Sequence, residues 1–160
     1  MIVVNTFSKA FGMTGWRVGY MAADRSVCAE AVKIQDAMIN CAPVVSQMGV
    51  EAAVRRDWAY PRRFASDLVA RRQALADGLR SVPRLRWTPA AGGFFAFVSV
   101  DGMHDSTATA RALLDREAVL TIPGAVFGRS GEGFLRLSYG AVSRADLAEA
   151  CSRLQRFFGA

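Results

Sequence analysis

Lysine is scarce in this chain of 160 residues: Lys9 and Lys33 are the only two, and the net charge of +6 rests almost wholly on arginine. Several arginines stand in pairs, Arg55-Arg56, Arg62-Arg63 and Arg71-Arg72, with no aromatic stripe between them. That pattern reads as solvated helix faces and meets the basic footprint of a nucleic-acid-binding protein only in part. Histidine occurs once, as His104, and the three cysteines, Cys28, Cys41 and Cys151, are widely spaced with no C-x-x-C. No metal site is expected from such a set, and buried, reduced thiols in a cytoplasmic protein account for it. No apolar run reaches ~18 residues and no basic segment leads into an apolar one at the amino end, so neither membrane spanning nor export is expected. Internal repeats and low-complexity stretches are also missing.

What the chain does have is apolar mass. At 52% hydrophobic it can build a substantial core, and its length suits one ordinary domain or two small ones. The most informative stretch runs from Asn5 to Tyr20. Ile2-Val3-Val4 reads as a short buried strand. Thr6, Ser8 and Lys9 follow, then Gly12, Gly15 and Gly19, with Arg17 between the last two. A lysine just past a strand end sits where open α/β sheets place their ligands. In a poorly solvated pocket its amine loses its proton more readily, because burial disfavours the charged form, and a neutral amine adds to a carbonyl to form a Schiff base.

The set Thr6, Lys9, Gly12, Gly15-Trp16-Arg17 and Gly19-Tyr20 resembles the active-site lysine segment of the class I/II aminotransferases, the fold-type I enzymes that use pyridoxal 5′-phosphate (PLP). The resemblance implies that Lys9 is the Schiff-base lysine and proton carrier, and that Thr6 and Arg17 hold the cofactor phosphate, with Ser8 a weaker candidate for the same cup. Arginine suits the role because its planar fork donates paired, charge-assisted bonds to phosphate oxygens. In that family an aspartate that pairs with the pyridine nitrogen and an aromatic that stacks on the ring lie ahead of the lysine. Here the first strand opens at Met1, so the chain is expected to be the carboxyl-terminal portion of such an enzyme.

Farther along, helical spacing of Val27, Ala31, Ile34 and Met38 predicts a helix opened by Asp24 to Ser26, with one apolar face. Asn40-Cys41-Ala42-Pro43 ends it, and Pro43 starts a second helix that runs to about Arg55. A longer helix is expected from Pro61 to about Ser81, with Phe64, Leu68, Leu75 and Leu79 inward. Strands are expected at Met21–Ala23, Leu85–Trp87, Phe94–Val100, Val119–Ile122 and Phe134–Tyr139, with the phenylalanines near 94–97 assigned to the core. A helix over Ser106–Arg116 turns Ala110, Leu113 and Leu114 inward. Gly128 to Gly133 reads as a connection, since it lacks the ending of a P-loop. Ser143 with Asp146 resembles a capping box that opens a last helix with Leu147, Cys151, Leu154 and Phe158 buried.

Alternation puts Arg136 on the same side of its strand as Phe134 and Ser138. From the residues alone that is an exposed strand face. The run Phe-Leu-Arg-Leu-Ser-Tyr also resembles the family element whose arginine binds the substrate α-carboxylate, which implies that role for Arg136. The fold class implied is α/β: a remnant of the PLP-binding large domain over 1–60 (strand, lysine loop and helices), a linking helix over 61–82, and a small α+β carboxyl-terminal domain over 83–160. The function implied is transfer of an amino group from an amino acid to a 2-oxo acid, by a ping-pong cycle, in an enzyme that is a homodimer when full-length. Two other expectations stay open: an inactive aminotransferase fragment that cannot retain PLP, and a basic nucleic-acid-binding protein.

Overall fold

Short apolar runs and helical periodicities resolve into six strands and five α-helices in a computed structural model that describes residues 1–56 and 58–159. Contacts divide the chain into two units, Met1–Ala65 and Ser66–Ala160. In the first, β1 (Val3–Thr6) pairs antiparallel with β2 (Gly19–Ala22), in a register that sets Thr6 opposite Gly19. The expected strand is present, but it is not buried: Val4 is 74% exposed. A two-stranded ribbon has only its own partner to pair with, and no described residue of this unit covers the faces of β1.

Helix α1 (Arg25–Ile39) starts where Asp24 caps it, the Asp24 carboxylate accepting from the Ser26 amide at 2.9 Å and its hydroxyl at 2.7 Å. Periodicity gives the helix but not the burial expected of its apolar face, since Ile34 and Met38 are exposed, the latter by 73%. Cys41, expected to be buried, is exposed in the connection that follows, and Cys28 is half-buried. Pro43 precedes α2 (Val44–Arg55) as its cap residue, its carbonyl accepting from the Ser46 and Gln47 amides. The core of this unit is Met13, Val18 and Val50, with Phe7, Phe11, Ala42 and Ala53 against it.

Helix α3 (Ala59–Arg80) takes Pro61 into its first turn, where the missing N–H has no intrahelical partner to lose. Its later part enters the second unit and supplies Leu75 and Leu79 to that unit's core. There β3 (Leu85–Arg86), β4 (Phe95–Val100), β5 (Ile122–Pro123) and β6 (Phe134–Ser138) form one antiparallel sheet in the order β3-β4-β6-β5. Alternation sends Ala96, Val98, Val100, Leu135 and Leu137 to one face. That face packs with α3, α4 (Ser106–Glu117) and α5 (Arg144–Phe158). Layers of helices on one side of an antiparallel sheet make this unit α+β, and the chain as a whole α/β.

Three expectations change here. Phe95 and Phe97 are 42% and 39% exposed, because β4 turns them to the face opposite the core. Leu114 is exposed, about a quarter-turn of helix past the buried Leu113. The strand expected at Val119–Ile122 shrinks to Ile122–Pro123, on the sheet edge, where a residue without an N–H is tolerated. No helix among the described residues is long and apolar enough to cross a membrane.

The terminal helix follows its sequence signals closely. Ser143 Oγ accepts from the Asp146 amide at 3.1 Å, while the Asp146 carboxylate accepts from the Ser143 amide at 3.1 Å and hydroxyl at 2.7 Å. Leu147, Cys151, Leu154 and Phe158 are all buried. The Ser143 hydroxyl, and after it the Ser143 amide, hold the Asp146 carboxyl below the ordinary carboxylate range. A carboxyl depressed in the folded state stabilises that state at neutral pH, and the contribution is lost as pH falls through the folded pKa. Ser143→Ala is therefore expected to lower Tm by about 2–4 °C at neutral pH. The gap to wild type should narrow on acidification below about pH 4, a comparison read from thermal melts followed by circular dichroism across a pH series.

Candidate active site

The lysine turn is fastened at its two ends by one carbonyl. Val18 O accepts from the Thr6 hydroxyl at 3.1 Å and from the Phe7 amide at 3.3 Å. The return strand is thereby tied beside the exit of β1. Between these points the chain makes a turn, with the Phe11 amide donating to Phe7 O and the Gly12 amide to Lys9 O, both at 3.3 Å. Gly12 takes φ +66°, a left-handed conformation that favours glycine. Lys9 stands in this turn just past the end of β1, as the sequence predicts. The desolvating pocket expected around it is not formed within its unit, where Lys9 is exposed.

Thr6 and Ser8 come together, their hydroxyl oxygens 2.9 Å apart, and the Ser8 amide donates to Thr6 Oγ1 at 3.2 Å. Because the Thr6 proton goes to Val18 O, the proton between the two hydroxyls belongs to Ser8. Ser8 is the more buried of the pair. Arg17 adopts a left-handed backbone, φ 53° and ψ 46°, and one of its Nη atoms donates to Thr14 O at 2.9 Å. The rest of its guanidinium fork has no other protein partner among the described residues. Thr14, which sequence reasoning passed over, holds the turn from below by donating its hydroxyl to Ser8 O at 2.9 Å.

The donor set is chemically uniform: one amine, two hydroxyls and a guanidinium, carried on a single loop with no carboxylate in it. Such a set suits an anionic ligand with a carbonyl, and a phosphorylated aldehyde such as PLP meets both requirements.

Arg136 lies in the second unit, on β6, opposite Phe97 of β4 on one side and Ile122 of β5 on the other. Its guanidinium carbon is 4.4 Å from the centre of the Phe95 ring and 5.3 Å from that of Phe127. Its Nε is buried without a hydrogen-bond partner, and none of the ion pairs among the described residues includes it. A cation so placed has its fork available to an anion from outside. The sequence does not mark Phe95 as a neighbour, since the aromatic run reads whole as core, although strict alternation with the small Ala96 separates it. No sequence signal marks Phe127, which sits at the end of the 3-10 turn Gly124–Phe127.

With this geometry in place, the comparisons with known proteins define the class: the chain belongs to the class I and II aminotransferases, whose family profile matches residues 1–154. It is 34% identical over 158 residues to an aspartate aminotransferase of Pyrococcus horikoshii, covering 97% of this chain and 40% of that one. It is 36% identical to the putative aminotransferase YugH of Bacillus subtilis, covering 98% and 40%. Among solved structures, an aromatic aminotransferase from Pyrococcus horikoshii superposes with TM-score 0.92 at 29% identity, covering 99% of this chain and 43% of that one. LysN, an α-aminoadipate aminotransferase from Thermus thermophilus complexed with N-(5′-phosphopyridoxyl)-L-leucine, superposes with TM-score 0.90 at 28% identity, covering 99% and 41%. The chain thus spans about two fifths of the length of these relatives, in keeping with the carboxyl-terminal portion expected.

One position tests how the cup is held. A Cβ at Gly19 would lie 2.6 Å from Asn5 O, a backbone atom that cannot yield without moving β1. Gly19→Ala is expected to loosen the Thr6 and Phe7 bonds to Val18 O, at an overpacking cost of about 1–3 kcal/mol. Faster hydrogen exchange at the Phe7 amide, together with a lowered Tm, would register it.

Proposed function

We propose that this chain is the carboxyl-terminal portion of a PLP-dependent aminotransferase that moves an amino group from an amino acid to a 2-oxo acid. The observation that supports the reading is the β1–β2 connection, which carries Lys9, Ser8 and Arg17 beyond Thr6 with no acidic residue among them and ties Thr6 to Ser8 and Val18. When bound, PLP supplies the electron sink that makes the substrate Cα–H acidic. Lys9 contributes the amine that holds the cofactor covalently, and its Nζ carries the proton removed from the substrate Cα. Thr6, Ser8 and Arg17 hold the phosphate, the hydroxyls by rotating their protons toward it and the guanidinium by paired, charge-assisted bonds. Arg136 takes the α-carboxylate of the amino acid or 2-oxo acid in its fork, which fixes orientation as well as charge.

The exposed apolar side chains Val32, Ile34 and Met38 on α1 and Val44, Val45 and Met48 on α2 support a covered face in a full-length homodimer, which we assign to the cytoplasm. A second reading, that the chain by itself is a catalytically inactive fragment, is favoured by the exposure of Lys9 and by the two-fifths span. Nucleic-acid binding gains no support. Arg55, Arg71, Arg80, Arg86, Arg111, Arg153 and Arg156 each face a carboxylate of the chain, which leaves these arginines no part in an uninterrupted basic patch.

The test is to add PLP, record the visible absorption of the bound form, reduce with borohydride and locate the pyridoxyl label by mass spectrometry. The label is expected on Lys9, not on Lys33, and Lys9→Ala should abolish it. A label that persists undiminished in Lys9→Ala overturns the assignment. Amino-group transfer by the isolated chain is expected to be weak or absent, and robust turnover would overturn the inactive-fragment reading.

A further inference from the structure

Arg136 is held in place by rings rather than by a counter-ion. We propose that Phe95 and Phe127 are positioning residues that clamp the Arg136 guanidinium for a carboxylate ligand, an inference that rests on the carboxylate reading of Arg136 given above. A structural cation is ordinarily matched by a carboxylate, because a buried charge without a partner is costly. Such a partner would occupy the same N–H groups that a substrate carboxylate needs. An aromatic face attracts the cation through its quadrupole and takes up no N–H donor. Phe95 at 4.4 Å and Phe127 at 5.3 Å do this from two sides, and the dry, unbonded Nε shows how fully the stem of the group is enclosed.

Each ring of the clamp is itself braced. Phe95 rides on β4, paired with Ser138, so that it lies diagonal to Arg136 across the β4–β6 ladder. Phe127 meets Phe97 edge-on, with centroids 5.7 Å apart and planes at 89°, and Phe97 stacks on Phe134 at 4.8 Å. The turn that carries Phe127 is held by a close backbone approach: a Cβ on Gly124 would lie 1.9 Å from Gly131 O, so neither position admits a side chain. Ser106 fastens the same loop, its hydroxyl accepting from the Ala125 amide at 3.2 Å and its amide donating to Glu132 at 2.7 Å. The glycine-bearing stretch that reads from sequence as a plain connection is the support for one jaw of the clamp.

The experiment titrates wild type, Phe95→Leu, Phe95→Tyr, Phe127→Leu and Arg136→Gln with 3-phenylpropionate, reads the affinity by calorimetry, and follows the Arg136 Nε–Hε signal by NMR in the four proteins that keep the arginine. Phe95→Leu keeps an apolar side chain and removes the ring face. It should weaken binding by about three- to tenfold and speed exchange of Hε with water, while Phe95→Tyr returns the affinity to within about twofold of wild type. Rescue by the second aromatic is a result that a merely space-filling role would not give. If Phe95→Leu does not fold, Phe127→Leu carries the same comparison. Wild-type affinity in both leucine variants, with Arg136→Gln still inactive in binding, overturns the clamp and leaves the carboxylate reading standing. Binding that survives Arg136→Gln, or no binding by wild type, overturns the carboxylate reading and the clamp with it.

Discussion

The pairing of β4 with β6 is the constraint on which the second unit depends. Side chains on a strand alternate between two faces, so one register decides the fate of every residue on both strands. With Phe97 opposite Arg136 and Val98 opposite Leu135, the small and branched residues go to the helices and the aromatic residues go with the arginine. A slip of one residue would put a guanidinium into the hydrophobic core and Leu135 and Leu137 onto the open face. The buried stripes of α3, α4 and α5 prevent that slip, because each needs the apolar face of the sheet to cover it. The packing of the core and the placing of Arg136 among aromatic rings are therefore set by the same alternation.

In the first unit the equivalent part is played by a single acceptor. Val18 O joins the exit of β1 to the segment that carries Arg17, so residues far apart in the loop share one small region. The side chain of Val18 belongs to the buried cluster with Met13 and Val50. Burial of one side of this residue thus steadies the polar groups on its other side. The hydroxyls of Thr6 and Ser8 meet beside this acceptor, 2.9 Å apart.

The elements were largely legible in the sequence, for identifiable reasons. Asp24, Ser143 and Asp146 are capping residues placed just before helical periodicities, and the structure uses all three as caps. The stripe Leu147, Cys151, Leu154, Phe158 has only one helical solution. Burial was less legible than secondary structure. Periodicity reports that Ile34 and Met38 share a face, not what lies against that face, and in this unit they stand exposed. The run Phe94-Phe95-Ala96-Phe97 reads as core from composition, whereas pairing sends its second and fourth residues the other way. The lysine segment was readable as a contiguous pattern. The surroundings of Arg136 were not, since Phe127 reaches it only through a turn whose geometry depends on Gly124 meeting Gly131.

The two units are unequally supported. The buried cluster of the first is small, Met13, Val18 and Val50, whereas that of the second draws on three helices and three strands. Local opening follows the density of buried contacts, so the first unit is expected to open before the second. A protease or a low dose of urea would reach the Lys9 segment while the sheet that carries Arg136 was still folded. A ligand held by that loop would close it by mass action, tightening the fold in proportion to its own affinity. The less stable half of the chain is in this way also the half whose order answers to what it binds.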